Sequence, residues 1–210
     1  MIRPASEVPV RPDAPAGAFR PARRWLPTVL VTLVMSMTVL GGFVFAETLP
    51  TPEVQPVALA GVLRVRPLPG WEVVRREQAT VPLPSGGVIS GEFAQLTRGS
   101  GAVDLLALPD VDGDALELAD LYATAVLTSQ LERLSVSGQV ERITLPTGLE
   151  AVRFGYIGSQ PQTGAALEGS VTAVVAPSGN GAVFDGWAPQ GQLELISEEL
   201  VAMIARADVV

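Results

Sequence analysis

The stretch SVTAVVAPSGNGAVFDGW, Ser170 to Trp187, places two apolar, β-branched runs on either side of Pro177-Ser178-Gly179-Asn180-Gly181. Gly and Asn adopt the positive-φ conformations of tight turns at little cost, so the spacing predicts a β-hairpin. Upstream, Val140 to Leu145 and Leu149 to Ile157 flank Pro146-Thr147-Gly148, and Val152, Phe154 and Tyr156 alternate onto one face. Farther back, Val73–Leu83, Val88–Thr97 and Ala102–Leu108 are separated by Pro84-Ser85-Gly86-Gly87 and Arg98-Gly99-Ser100-Gly101. Gly/Ser turns between strand-forming runs predict an antiparallel meander.

Two segments have a helical period. Asp114-x-x-Glu117 has capping-box spacing, with an acidic N-cap and a Glu three residues on. Leu116, Ala119, Ala123, Leu127, Leu131 and Leu134 follow at steps of three and four, which predicts about five turns ending near Ser137-Gly138. Near the end, Pro189 fits the first turn of a helix whose apolar stripe is Leu193, Ile196, Leu200 and Ile204. The order strands, helix, strands, helix predicts an α+β domain over 63–210. Its mostly antiparallel sheet is expected to carry two main amphipathic helices packed on one face.

Residues 26–46, LPTVLVTLVMSMTVLGGFVFA, form an uncharged apolar run. About 20 such residues span the hydrocarbon core as a helix. Residues 1–25 hold five Arg and two acids, whereas 47–210 hold nine Arg and twenty acids. Arginine beside a membrane segment is retained inside, so the expected topology is a cytoplasmic N-terminus and an extracytoplasmic C-terminal domain on a single-pass anchor. Val44-Phe45-Ala46 resembles a signal-peptidase site, but the run is longer than the usual 7–15-residue h-region, which favours a retained helix. The Pro/Arg-rich residues 1–25 read as a disordered tail, and the proline-rich 47–62 as an extended spacer.

Composition removes most chemistry. The chain has no His, no Cys and no Lys. Ser–His–Asp triads, thiol nucleophiles, Schiff bases and P-loops are therefore unavailable, and so are the usual zinc ligands. A formal net charge of −8 argues against nucleic acid as a partner. With no disulfide, the exported domain must be stabilised by its core.

Several features together resemble the Mog1/PsbP-like domains, which include membrane-tethered bacterial envelope proteins of the LpqN type. They are Pro69-Gly70-Trp71 at the domain's start, the meander, a helix around Tyr122, a long central hairpin, and Gly186-Trp187-Ala188-Pro189 leading to a final helix with Met203-Ile204. The resemblance implies a binding or assembly module without a catalytic set.

Asp110, Asp112 and Asp114 occupy positions 1, 3 and 5 of a calcium loop. Ala115 stands where such a loop needs Gly, and Leu121 where it needs Glu, so a solvated acidic turn capping a helix competes with a Ca²⁺ site. Trp71 and Trp187 compete in the same way, between a partner-binding surface and core packing. Glu92, Asp104, Glu141 and Glu168 lie on expected strands, where acid–base pairing competes with simple solvation. The expected function is a non-catalytic envelope binding module, without a cofactor, that contacts another envelope or membrane protein. A weakly Ca²⁺-modulated envelope protein and a carboxylate-dependent envelope glycan hydrolase are the alternatives.

Overall fold

The computed structural model describes residues 55–210. The tail, the apolar run 26–46 and the start of the spacer lie outside them. Among the described residues no helix is long and apolar enough to cross a membrane.

The described chain opens with two three-residue strands, β1 (Val57–Leu59) and β2 (Leu63–Val65). Val57, Leu59 and Val62 are buried, so the domain begins inside the stretch read as spacer. The meander follows as β3 (Glu72–Pro82), β4 (Val88–Arg98) and β5 (Gly101–Leu108). Asp114 then caps helix α1 (Ala115–Leu121) with the expected capping box. Its carboxylate accepts from the amides of Leu116 and Glu117, while the Glu117 carboxylate accepts from the Asp114 amide.

The helix does not run the expected five turns. After Leu121 it widens into a π-helical stretch, Tyr122–Leu127, and ends with a single α turn, Thr128–Gln130. The hydroxyls of Thr124, Thr128 and Ser129 donate back to carbonyls of the preceding turn, a bond that bends helices. Leu134 falls on strand β6 (Glu132–Val136), where Arg133 has a positive φ of 51° and the pairing slips.

Strands β7 (Glu141–Thr144) and β8 (Glu150–Ser159) precede the hairpin β9 (Ala166–Val175) and β10 (Gly181–Pro189). Its turn forms as expected, closed by the Ala176 amide donating to Asn180 O at 2.8 Å, with Gly179 at φ 85°. Pro189 is the last residue of β10 and not a helix start. The final helix α2 (Glu194–Ala205) begins five residues later, and β11 (Asp208–Val209) closes the chain.

All strand pairs are antiparallel. The large sheet has the order β3-β4-β5-β10-β9-β8-β6, with β7 also on β8, and β1-β2-β11 form a small second sheet.

The two helices do not share a face. Leu96, Val103, Leu105, Phe184 and Val174 pack with Leu200 and Ile204 of α2 and with Leu59 and Leu63 of the small sheet. Leu106, Leu108, Val183, Val171 and Phe154 pack with Leu118 and Tyr122 on the side of α1. Neighbouring residues of β5 and β10 thus serve opposite cores. A strand needs an apolar residue at every position only when both of its faces are covered, and all eight residues of β5 are buried.

Candidate binding pocket

Two acids interrupt the double-sided core. Asp104 of β5 and Asp185 of β10 are directly opposed partners on adjacent strands. Side chains so placed have Cβ atoms about 4.5–5.5 Å apart. Both project on the α1 side and are 6% and 1% exposed, respectively.

Their oxygens are all engaged. Tyr122, in the π stretch, donates its hydroxyl to Asp185 Oδ2 at 3.0 Å, and Tyr156 of β8 donates to Oδ1 at 2.8 Å. Gln95 of β4 donates to Asp104 Oδ1 at 2.7 Å, and the Trp187 indole N–H donates to Oδ2 at 3.2 Å. The network joins α1's extension to four strands.

Burial sets the proton affinities. It pushes Asp185 up to about 7, reinforced by the Asp104 charge, while the two tyrosine hydrogen bonds act in the opposite direction. Burial raises Asp104 too, opposed by its bonds from Gln95 and Trp187 and by the Arg75 charge. Both tyrosines are driven far above the ordinary phenol range by burial and by the adjacent Asp185, so they remain donors. Two carboxylates this close disfavour double ionisation, and near neutral pH the pair readily holds one proton.

The network forms the floor of a cavity of about 500 Å³ walled by Phe93, Leu131, Tyr156 and Trp187, with Gln160 and Gln162 at its rim. Arg75 of β3 stands at the mouth, its guanidinium 5.7 Å from the centre of the Phe93 ring. It is also held in an exposed ion pair with Glu77 at 2.8 Å. Ligand pockets typically combine such apolar walls with a few fixed polar groups.

Trp187 lines this cavity and is half-buried, as a ligand-contacting ring requires. Trp71 is only 5% exposed, packs in the α2-side core and donates its indole N–H to Glu199 of α2 at 2.8 Å. It ties the turn ahead of β3 to the last helix and offers no free ring.

Asp110, Asp112 and Asp114 do not converge. Both backbone-capping bonds of Asp114 point into its helix, and among the described residues no three acidic side chains cluster as a metal would require. The strand acids scatter too. Glu92, on the α2 side, accepts from the Ala60 amide and from Arg76. Glu168 accepts from the amides of Gly191 and Leu193 ahead of α2, and Glu141 lies on β7. Only Asp104 belongs to the pocket, and its partner Asp185 was not singled out from sequence. The available signal was a lone acid in each of two otherwise apolar strands, AVDLLAL and AVFDGW.

No protein-family model and no curated protein sequence matches the chain. Solved structures do resemble it. LpqN of Mycobacterium tuberculosis, described as involved in cell envelope biogenesis, is 15% identical over 74% of this chain and 90% of its own, with a TM-score of 0.46. Cyanobacterial PsbP (CyanoP) from Synechocystis sp. PCC 6803 is 7% identical over 78% of this chain and 96% of its own, TM-score 0.49. A point mutant of Mog1 is 14% identical over 74% of this chain and 95% of its own, TM-score 0.44. These three are proteins of the Mog1/PsbP-like fold.

Proposed function

We propose that the chain is a non-catalytic binding module held at the outer face of a cell membrane by residues 26–46, and that it contacts another envelope or membrane protein through the pocket at Trp187. The observation that carries this reading is the pocket's construction. Its aromatic walls surround polar groups that are already mutually hydrogen-bonded, and burial beside Asp185 keeps the two tyrosine hydroxyls protonated as donors. A sequence without His, Lys or Cys agrees with a binding role. The placement outside the cell rests on the arginine-flanked apolar run.

The test is capture of the tagged full-length protein from detergent-solubilised membranes, with wild type and Trp187→Ala compared at temperatures where both are folded. Recovery of a partner by wild type and its loss in the variant is the expected result. Equal recovery by both, or no partner above background, overturns the reading. A C-terminal reporter active only in the cytoplasm overturns the topology.

A further inference from the structure

Resting on that reading, we infer that the pocket receives a cationic group, a guanidinium or ammonium, between the Phe93 and Trp187 rings and above Asp104. The wall chemistry is that of a cation site, because aromatic faces attract cations through their quadrupole and a carboxylate at the floor adds direct charge attraction. Asp104 and Asp185 face each other with only neutral donors (Gln95, Trp187, Tyr122 and Tyr156) on their oxygens. Among the described residues no cation is bonded to either acid.

Among the described residues, Arg75 is the cation that lines the pocket. Arg75 lies over the Phe93 ring, and its charge already acts on Asp104. Its hydrogen bond and ion pair, however, go outward to Glu77 at 3.0 and 2.8 Å. The chain's own guanidinium therefore occupies the entrance without reaching the floor. An incoming cation would displace it, and Glu77 would keep hold of the displaced Arg75. Exposed Arg75 can move at little cost, since a surface ion pair contributes little to stability.

Binding can be followed by tryptophan fluorescence of the full-length protein in detergent, titrated with N-acetyl-arginine amide and with its neutral isostere N-acetyl-citrulline amide. The expected result is saturable binding of the arginine compound, at least tenfold weaker binding of the citrulline compound, and loss of the signal in Trp187→Phe. Asp104→Asn should weaken arginine binding at least tenfold, whereas Arg75→Ala should strengthen it about threefold or more by removing the competitor. Melting curves of each variant establish that it is folded. Methylguanidinium, run in parallel, separates a free cation from a side chain borne on a polypeptide: equal affinity points to the former, tighter binding of the amide to the latter. Equal binding of arginine and citrulline compounds, or weaker binding in Arg75→Ala, overturns the cation site. Partner capture dependent on Trp187 would then still stand, so the two failures are distinguishable.

Discussion

Asp185 shows what one buried acid does to a fold of this size. It is 1% exposed, opposed by Asp104 and held by two tyrosine hydroxyls. Its folded pKa of about 7 lies above the unfolded Asp value of about 3.9. Between those values the folded chain keeps a proton that the unfolded chain has released. The group's contribution to stability is therefore full below about pH 4, declines as pH rises towards 7, and is flat above. At about 1.4 kcal/mol per pH unit the decline is on the order of 4 kcal/mol. Glu92 and Asp114, whose pKa values are lowered by hydrogen bonds to backbone and side-chain donors, act in the opposite direction and only in the acid range. Asp185→Asn keeps an acceptor for one tyrosine and removes the charge. Denaturant melts from pH 4 to 8 should show its decline reduced to what the raised Asp104 still contributes, with its stability above wild type at pH 8. A wild-type slope preserved in the variant would assign the pH dependence elsewhere. Sequence periodicity could not find this residue. An isolated acid in a strand is ordinarily a solvated one, and only the covering of both sheet faces buries it.

At the scale of elements, what is local was legible and what depends on neighbours was not. The β9–β10 hairpin and the α1 cap are written in contiguous residues, Pro177 to Gly181 and Asp114 to Glu117, and both form as expected. The end of α1 was misread because Leu131 and Leu134 continue the helical period while Leu134 in fact sits on β6. The start of α2 was misread because Pro189 suits a first turn as well as a strand end; here it pairs with Leu167. Glu168 of β9, with its two bonds to Gly191 and Leu193, organises the chain ahead of α2. Glu168→Ala should cost about 1 kcal/mol and lower the melting temperature by a few degrees, with little change in circular dichroism beyond the first turn of α2.

Close contact between strands can be tested in the same way. A Cβ on Gly169 would lie 2.3 Å from Cζ of Tyr156, on the directly opposed β8 position. The ring fills the space above the glycine, and its hydroxyl is committed to Asp185. Gly169→Ala must therefore push the ring off its hydrogen bond, costing about 1–3 kcal/mol as overpacking does. Losing a donor that stabilises the ionised acid raises Asp185 further, so the stability decline with pH should extend above 7. Gly→Ala in a strand interior otherwise tends to stabilise, so a stabilised variant would show that Tyr156 is free to move.

For the molecule as a whole, the expectation of two helices on one face fails for a reason that the apolar pattern conceals. Strands β5 and β10 carry apolar residues at nearly every position, and such a run states that both faces are covered without stating by what. Helix α1 covers one face; α2 and the small sheet cover the other. Neither core stands alone, because each uses alternate residues of the same central strands. Leu105 and Leu106 make this testable, being adjacent, 1% and 5% exposed, and directed to opposite cores. Each Leu→Ala change should cost about 2–5 kcal/mol through lost burial and a residual cavity. Because the sheet is shared, both variants should shift one and the same unfolding transition, seen identically by near-UV and far-UV circular dichroism. Two separated transitions in either variant, with one face's probes melting early, would show that the faces fold as independent units. The sheet would then be a platform for two small cores in place of the single cooperative body that the shared strands require.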